Sequence, residues 1–195
     1  MKTLFYRIMR FLAFILFKIL FFPRIRGKEN IISSGRVVFA GNHTKWLDPV
    51  LLVTSNRRIL HFLAKIELFQ GILKPFIKGM LCIPVNRKVH DGKALIEAEK
   101  VLEQDEAICI FPEGTINRTD DTIMPFKTGA VRMAYSTNSK IIPFTITGKY
   151  RLFGIGGRIT LTYLEPITVT KNVEKSNKKL ENIIKNKLEE VWVKM

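Results

Sequence analysis

The sequence predicts an α/β fold: a single domain with a mainly parallel, mixed central sheet flanked by helices, preceded by an amphipathic helix. Three observations predict it. Short apolar runs alternate with longer stretches of helical period along most of the chain. At 195 residues, 47% of them hydrophobic, the chain can bury one compact core. A greasy first segment gives way to this alternation at Pro23, which divides an N-terminal helix (residues 1–23) from the body (residues 24–195).

Residues 3–22 hold 16 apolar residues; the exceptions are Thr3, Arg7, Arg10 and Lys18. At about 100° per residue these four fall within an arc of about 80°, a narrow basic stripe on an oily cylinder. A membrane span would carry Arg7 and Arg10 inward at roughly 2.5–3.5 kcal/mol each at the bilayer centre. Lying in the interface avoids that burial and lets the stripe face lipid phosphates. The interfacial anchor is therefore the favoured reading; a span or re-entrant hairpin, a core helix and a signal peptide are its rivals. Lys18 interrupts the apolar run and no small-residue cleavage site follows, which weakens the last. Pro23 ends the helix because it cannot continue the hydrogen-bond ladder.

Beyond Pro23, residues 37–40, 59–64, 81–85, 107–111, 141–147 and 159–164 read as strands. Residues 49–55, 89–103 and 127–136 read as helices between them, and a last helix covers about 173–193. The polar stretch 114–125 is the longest loop, and such loops tend to carry function. Cys82 and Cys109 lie in apolar runs without metal-ligand spacing and read as buried thiols, not a disulfide.

The charge is +15, from 32 Lys and Arg against 17 Asp and Glu. Such a balance predicts an acidic partner: nucleic acid, anionic lipid or an acidic carrier protein. Residues 1–28 carry seven basic residues and no acid. Basic and greasy together point to a membrane surface; nucleic-acid arms are basic and polar.

The chemistry gathers at predicted strand ends, where ligands bind in open α/β sheets. After the first strand comes Asn42-His43-Thr44-Lys45-Trp46-Leu47-Asp48, with Asp48-Pro49 reading as N-cap and first helical position. If the turn folds back, Asp48 accepts a hydrogen bond from one imidazole nitrogen of His43, leaving the other free to take a proton from an alcohol. On spacing alone, His43 as a polar turn residue and Asp48 as a cap is the stronger reading, because the spacing is common. A second strand runs into Phe111-Pro112-Glu113-Gly114-Thr115. Gly114 permits a turn whose amides face an anion. Arg118 follows, and Lys127 opens the next helix, whose N-terminal amides favour phosphate. A third strand ends at Arg87. Singly these are ordinary turn and surface residues; together they describe a pocket for a phosphate-bearing molecule with one activatable hydroxyl.

These blocks, in this order, resemble the glycerolipid acyltransferase family, whose best-known member is lysophosphatidic acid acyltransferase. Residues 42–48 look like its N-H-x4-D motif, 79–87 its second motif closed by arginine, 111–115 its third, and the run from Ile142-Pro143-Phe144 to Gly148 its fourth. The motifs lie within residues 41–148. The family has arginine directly after the Thr of the third motif; here Ile116 stands there and Arg118 two positions on. The resemblance implies acyl transfer from acyl-CoA or acyl-acyl carrier protein to the free hydroxyl of a lysophospholipid. The default acceptor is 1-acyl-sn-glycerol-3-phosphate, giving phosphatidic acid for phospholipid biosynthesis. It implies His43 as base and Asp48 as its orienter. Asn42, Arg87, Glu113, Gly114, Thr115, Arg118 and Lys127 would bind the acceptor, and Pro143 would shape the acyl-donor side. Cofactors and metals are not expected, because the thioester is already activated. The expected partners are the two substrates and an anionic membrane surface, on the cytoplasmic face of the cell membrane, with acyl carrier protein a candidate and nucleic acid not. Another lysolipid such as a lyso-aminolipid, or an inactive interfacial lipid binder, are the alternatives. A hydrolase fits less well, since no G-x-S-x-G element is present.

Overall fold

A computed structural model describes residues 2–86 and 92–192. It contains a seven-stranded mixed sheet in the order β1-β7-β6-β2-β5-β3-β4. The strands are β1 (Arg24–Arg26), β2 (Val37–Gly41), β3 (Leu60–Lys65), β4 (Ile83–Val85), β5 (Ala107–Ile110), β6 (Lys140–Thr147) and β7 (Thr160–Tyr163). All pairings are parallel except β6 with β7. The helices are α1 (Lys2–Phe21), α2 (Asp48–Ser55), α3 (Lys74–Gly79), α4 (Lys93–Glu103), α5 (Gly129–Ser136) and α6 (Val173–Trp192).

β2 lies between β5 and β6 and is buried throughout. Its side chains alternate as a pleated strand requires. Val37 and Phe39 enter one core with Leu51 and Leu52 of α2 and Tyr6 and Phe17 of α1. Val38 and Ala40 enter the other, with Leu102 of α4, Met133 of α5 and Leu180 and Ile184 of α6. The chain leaving β2 therefore crosses to one face, as α2. The chain leaving β5, its parallel neighbour, crosses to the opposite face, as α5. Two adjacent strands whose helices diverge in this way leave a crevice at their carboxyl ends.

The sequence reading differs from the structure in several places. β1 is too short and too charged to stand out; it forms because Arg24–Arg26 align with Thr160–Thr162 at the sheet edge. α3, with Pro75 in its first turn, follows two 3-10 turns at 66–69 and 71–73 where no element is predicted. The fourth strand shortens to three residues. The helix predicted from residue 127 starts at Gly129, so Lys127 precedes it and does not open it. The helix predicted over 89–103 is described from Lys93, and residues 89–91 and 193 fall outside the described residues.

α1 is also more than an appendage. Tyr6 and Phe17 are core residues, and the backbone amide of Leu60 donates to Tyr6 Oη at 3.0 Å. Arg10, read as part of a lipid-facing stripe, turns inward and donates to the Arg57 carbonyl at 2.6 Å. Arg7 and Lys18 remain exposed. The face turned from the protein is apolar, with Leu4, Ile8, Phe11, Ile15 and Ile19 all exposed. Phe5 meets Phe76 of α3 edge-on at 6.4 Å, which continues that apolar surface toward the exposed Ile72 and Leu73. Among the described residues, no helix is long and apolar enough to cross a membrane.

Candidate active site

His43 follows β2 by two residues, at the carboxyl end where the two helices diverge. Its Nδ1 lies 2.9 Å from Asp48 Oδ2, with the imidazole 14% exposed and the carboxylate fully buried. The acceptor carboxylate assigns the proton to Nδ1 and leaves Nε2 as the free lone pair. Among the described residues Nε2 has no hydrogen-bond partner. The ring lies flat on Phe111, centroids 4.0 Å apart and planes 14° apart. Two neighbours thus fix the imidazole: the Asp48 carboxylate at Nδ1 and an aromatic ring against its face.

Asp48 does not cap its own helix, as the sequence suggested; Leu47 holds the cap position and no side chain caps it. The carboxylate turns back on the preceding turn. Its Oδ2 accepts the amides of Thr44 at 2.6 Å and Lys45 at 2.8 Å in addition to His43. The Thr44 hydroxyl lies 3.2 and 3.3 Å from the two oxygens. Oδ1 accepts the phenol of Tyr150 at 2.6 Å. This one carboxylate folds the turn and holds the imidazole.

Glu113 does comparable work from the turn after β5. It is buried, Oε1 accepts the His43 amide at 2.7 Å, and Oε2 accepts the Met124 amide at 2.9 Å. Burial pushes its carboxyl above the usual range, against the opposing pull of those two amides. The Asn117 amide donates to the His43 carbonyl at 2.9 Å. The 111–128 loop is thereby tied to the base at several points. Its far end is tied to α6, where Phe126 donates to Glu181 and accepts from Asn177.

Two residues assigned to the acceptor are therefore engaged elsewhere. Asn42 is buried, and its amide clasps β6, donating to the Ile146 carbonyl at 2.9 Å and accepting the Ile146 amide at 2.7 Å. Both oxygens of Glu113 are taken by backbone. These residues build the site through bonds to backbone. Pro143 is not brought to the cluster: it is buried in β6, in register with Ala40, roughly 10 Å upstream of His43 at strand rise. Gly114 and Lys127 lie together, and Thr115 and Arg118 stand in the same loop, either side of Asn117, whose backbone amide meets His43. Gly114 has φ +75°, and a Cβ there would lie 3.0 Å from Lys127 Nζ, so the ammonium arches over the turn. Thr115, Arg118 and Lys127 are exposed. Arg87 lies outside the described residues; β4, which precedes it, is the edge strand three places from β2, roughly 14 Å away.

The sequence reading missed Tyr150 and the Phe111 stack. Tyr150 follows β6, a third strand parallel to β2, and that carboxyl-end position was the available signal. Burial, then the charge of Asp48, holds its phenol well above the ordinary value, so it remains a donor. It also borders a cavity of about 480 Å³ whose lining includes Lys45, Trp46, Lys149 and Arg151.

An imidazole held by a buried carboxylate at the carboxyl end of a strand has the chemistry to act as a general base on an alcohol. Residues 23–147 match the Acyltransferase family, and the chain belongs to that family. It is 31% identical over 176 residues to the 1-acyl-sn-glycerol-3-phosphate acyltransferase of Borreliella burgdorferi, covering 84% of this chain and 69% of that one. It is 32% identical over 127 residues to the Bacillus subtilis protein of the same name, covering 64% and 62%. The crystal structure of the 1-acyl-sn-glycerophosphate (LPA) acyltransferase PlsC from Thermotoga maritima superposes with a TM-score of 0.72 at 26% identity, covering 87% of this chain and 71% of that one. The chain thus spans about six to seven tenths of the length of these relatives.

Proposed function

We propose that this protein transfers a fatty acyl group from a thioester to the free hydroxyl of 1-acyl-sn-glycerol-3-phosphate, forming phosphatidic acid. The observation that carries the reading is the His43–Asp48 pair at 2.9 Å, with the imidazole partly exposed at the carboxyl end of β2. The hydroxyl docks on Nε2. As its oxygen attacks the thioester carbonyl, the O–H proton passes to Nε2 and Asp48 stabilises the imidazolium. The tetrahedral intermediate collapses, the C–S bond breaks, and the imidazolium returns the proton to the leaving thiolate. The thioester is already activated, so this route calls on no cofactor. Base catalysis supplies about 10²- to 10⁴-fold, and positioning both substrates supplies much of the remainder.

Gly114, Thr115, Arg118 and Lys127 suit the acceptor's phosphate, being exposed, cationic or turn-forming beside the base. The cavity with Lys45, Lys149 and Arg151 has no acid in its lining and suits the phosphates of the donor, acyl-CoA or acyl-acyl carrier protein. The outer face of α1 lies on an anionic membrane with its exposed apolar residues inserted, presenting the crevice to lipid substrates from the cytoplasmic side.

Purified protein, an acyl thioester and a panel of lysolipids provide the test, with thiol release as the readout. Lysophosphatidate supports turnover, and His43→Ala abolishes it while the fold remains. Acyl transfer undiminished in that variant would end the general-base reading.

A further inference from the structure

Proton transfer by His43 and Asp48 leaves the Tyr150 hydroxyl without a role. Its phenol donates to Asp48 Oδ1 at 2.6 Å, the oxygen that does not hold His43. Its ring is met edge-on by two residues of the last turns of α1. Phe17 lies at 6.0 Å and 80°, and Phe21 at 5.7 Å and 85°. Phe17 is 4% exposed and Asp48 is fully buried, so none of these contacts is a surface accident. A line of direct contacts runs from α1 through Tyr150 and Asp48 to the imidazole.

We propose that Tyr150 is a positioning residue for acyl transfer, and that the packing of α1 on its ring controls the base through this one hydroxyl. The inference rests on the reading of His43 as general base. Oδ2 is anchored by two backbone amides and the imidazole. The Thr44 hydroxyl stands almost equidistant from both oxygens and so cannot choose a rotation about the Cβ–Cγ bond. The bond to Oδ1 holds the second oxygen, so the carboxylate plane is fixed at both ends. It thereby sets the angle at which Oδ2 meets the imidazole N–H, while the Phe111 stack holds the ring's own plane. Because α1 also carries the outer apolar face, its seating on lipid reaches the base through the aromatic contacts of Phe17 and Phe21.

The test uses the full chain as Tyr150→Phe, Phe21→Leu and the double variant, with vesicles of phosphatidylglycerol and phosphatidylcholine containing lysophosphatidate. Tyr150→Phe keeps the ring and removes the hydroxyl. It lowers kcat about tenfold with both KM values within about twofold, since the lost hydroxyl is engaged with Asp48 and the ring that borders the cavity is kept. It also moves the downfield N–H proton resonance of His43, identified by its loss in His43→Ala, further downfield, because Asp48 no longer shares its charge with a second side-chain donor. Phe21→Leu lowers kcat less, and that loss vanishes in the Tyr150→Phe background, the mark of a shared route. Unchanged kcat and an unmoved resonance in Tyr150→Phe would overturn the positioning role, leaving a tyrosine that only fills space. Additive losses in the double variant would overturn the link to α1. Turnover retained in His43→Ala defeats the base reading itself. Turnover lost there with wild-type behaviour in Tyr150→Phe defeats this inference alone.

Discussion

Replacing Asp48 with Asn isolates the charge of the carboxylate from its shape. The fold places three N–H donors on Oδ2: His43 Nδ1, Thr44 N and Lys45 N. An Asn side chain can set its carbonyl oxygen there and turn its NH2 toward Tyr150, whose hydroxyl then accepts. The turn and the imidazole tautomer survive. What is lost is the charge facing His43 when it becomes imidazolium in the transition state. A hydrogen bond to a charged partner contributes about 1.5–3 kcal/mol. At about 1.4 kcal/mol per tenfold, kcat falls about 10- to 150-fold, within the range base catalysis can supply. KM stays nearly constant because the fully buried carboxylate reaches no substrate. Asp48→Ala behaves differently. It strands two backbone amides, the Tyr150 phenol and the imidazole N–H, each at about 1–3 kcal/mol when buried, and its urea midpoint drops far below that of the Asn variant. Thiol release under single-turnover conditions gives the rate and urea titration the stability. An Asn variant with wild-type kcat, or one whose loss lies in KM alone, would refute the charge argument.

Further expectations concern the scaffold. A triple change of Ile8, Phe11 and Ile15 to Glu leaves the melting temperature within a few degrees and cuts sedimentation with anionic vesicles; unchanged partitioning would remove the lipid-facing assignment of α1. Deleting residues 1–22 instead destabilises the body, since Tyr6 and Phe17 leave the core and the Leu60 amide loses its acceptor. A truncated chain with an unshifted urea midpoint contradicts this. Gly41→Ala places a Cβ 2.3 Å from the Phe144 carbonyl oxygen, forcing β2 from β6 at about 3 kcal/mol or more. Gly114→Ala meets only the flexible end of Lys127 and costs about 1–2 kcal/mol for its left-handed φ, so the two midpoints separate clearly. For Glu113, burial raises the folded-state carboxyl above its unfolded value, so the folded protein binds more protons in the interval between them. Stability therefore falls as pH rises through that interval, and Glu113→Gln removes this component. Urea midpoints measured from about pH 4 to about pH 8 should show wild type losing stability relative to the variant; parallel curves would exclude the raised carboxyl.

Periodicity and local spacing were enough to read the α/β class, the greasy first helix and the strand ends that hold His43 and Gly114. Asp48 lies five residues from His43, so a single turn brings them together, and their pairing is nearly a local property. Even so, spacing alone left that pair as common as any turn, and the ordered blocks around it made the reading specific. The orientation of α1 was not legible, because both its protein face and its outer face are apolar. A hydropathy wheel locates the basic residues without saying which neighbouring arc meets Leu60. The same limit misassigned Arg10.

The sequence by itself determined which residue types stand at the ends of the strands and which of them could form a base and its orienter. Only the tertiary structure decided that α2 and α5 leave adjacent strands on opposite faces and so open a crevice there. It alone set Asn42 against Ile146, Glu113 beneath His43, and Tyr150 on Asp48 across 102 residues of chain. The physical reason is that a side chain's period tells which neighbours share its face. The identity of its hydrogen-bond partner depends on strand order and crossover direction, which are settled only when the whole core packs.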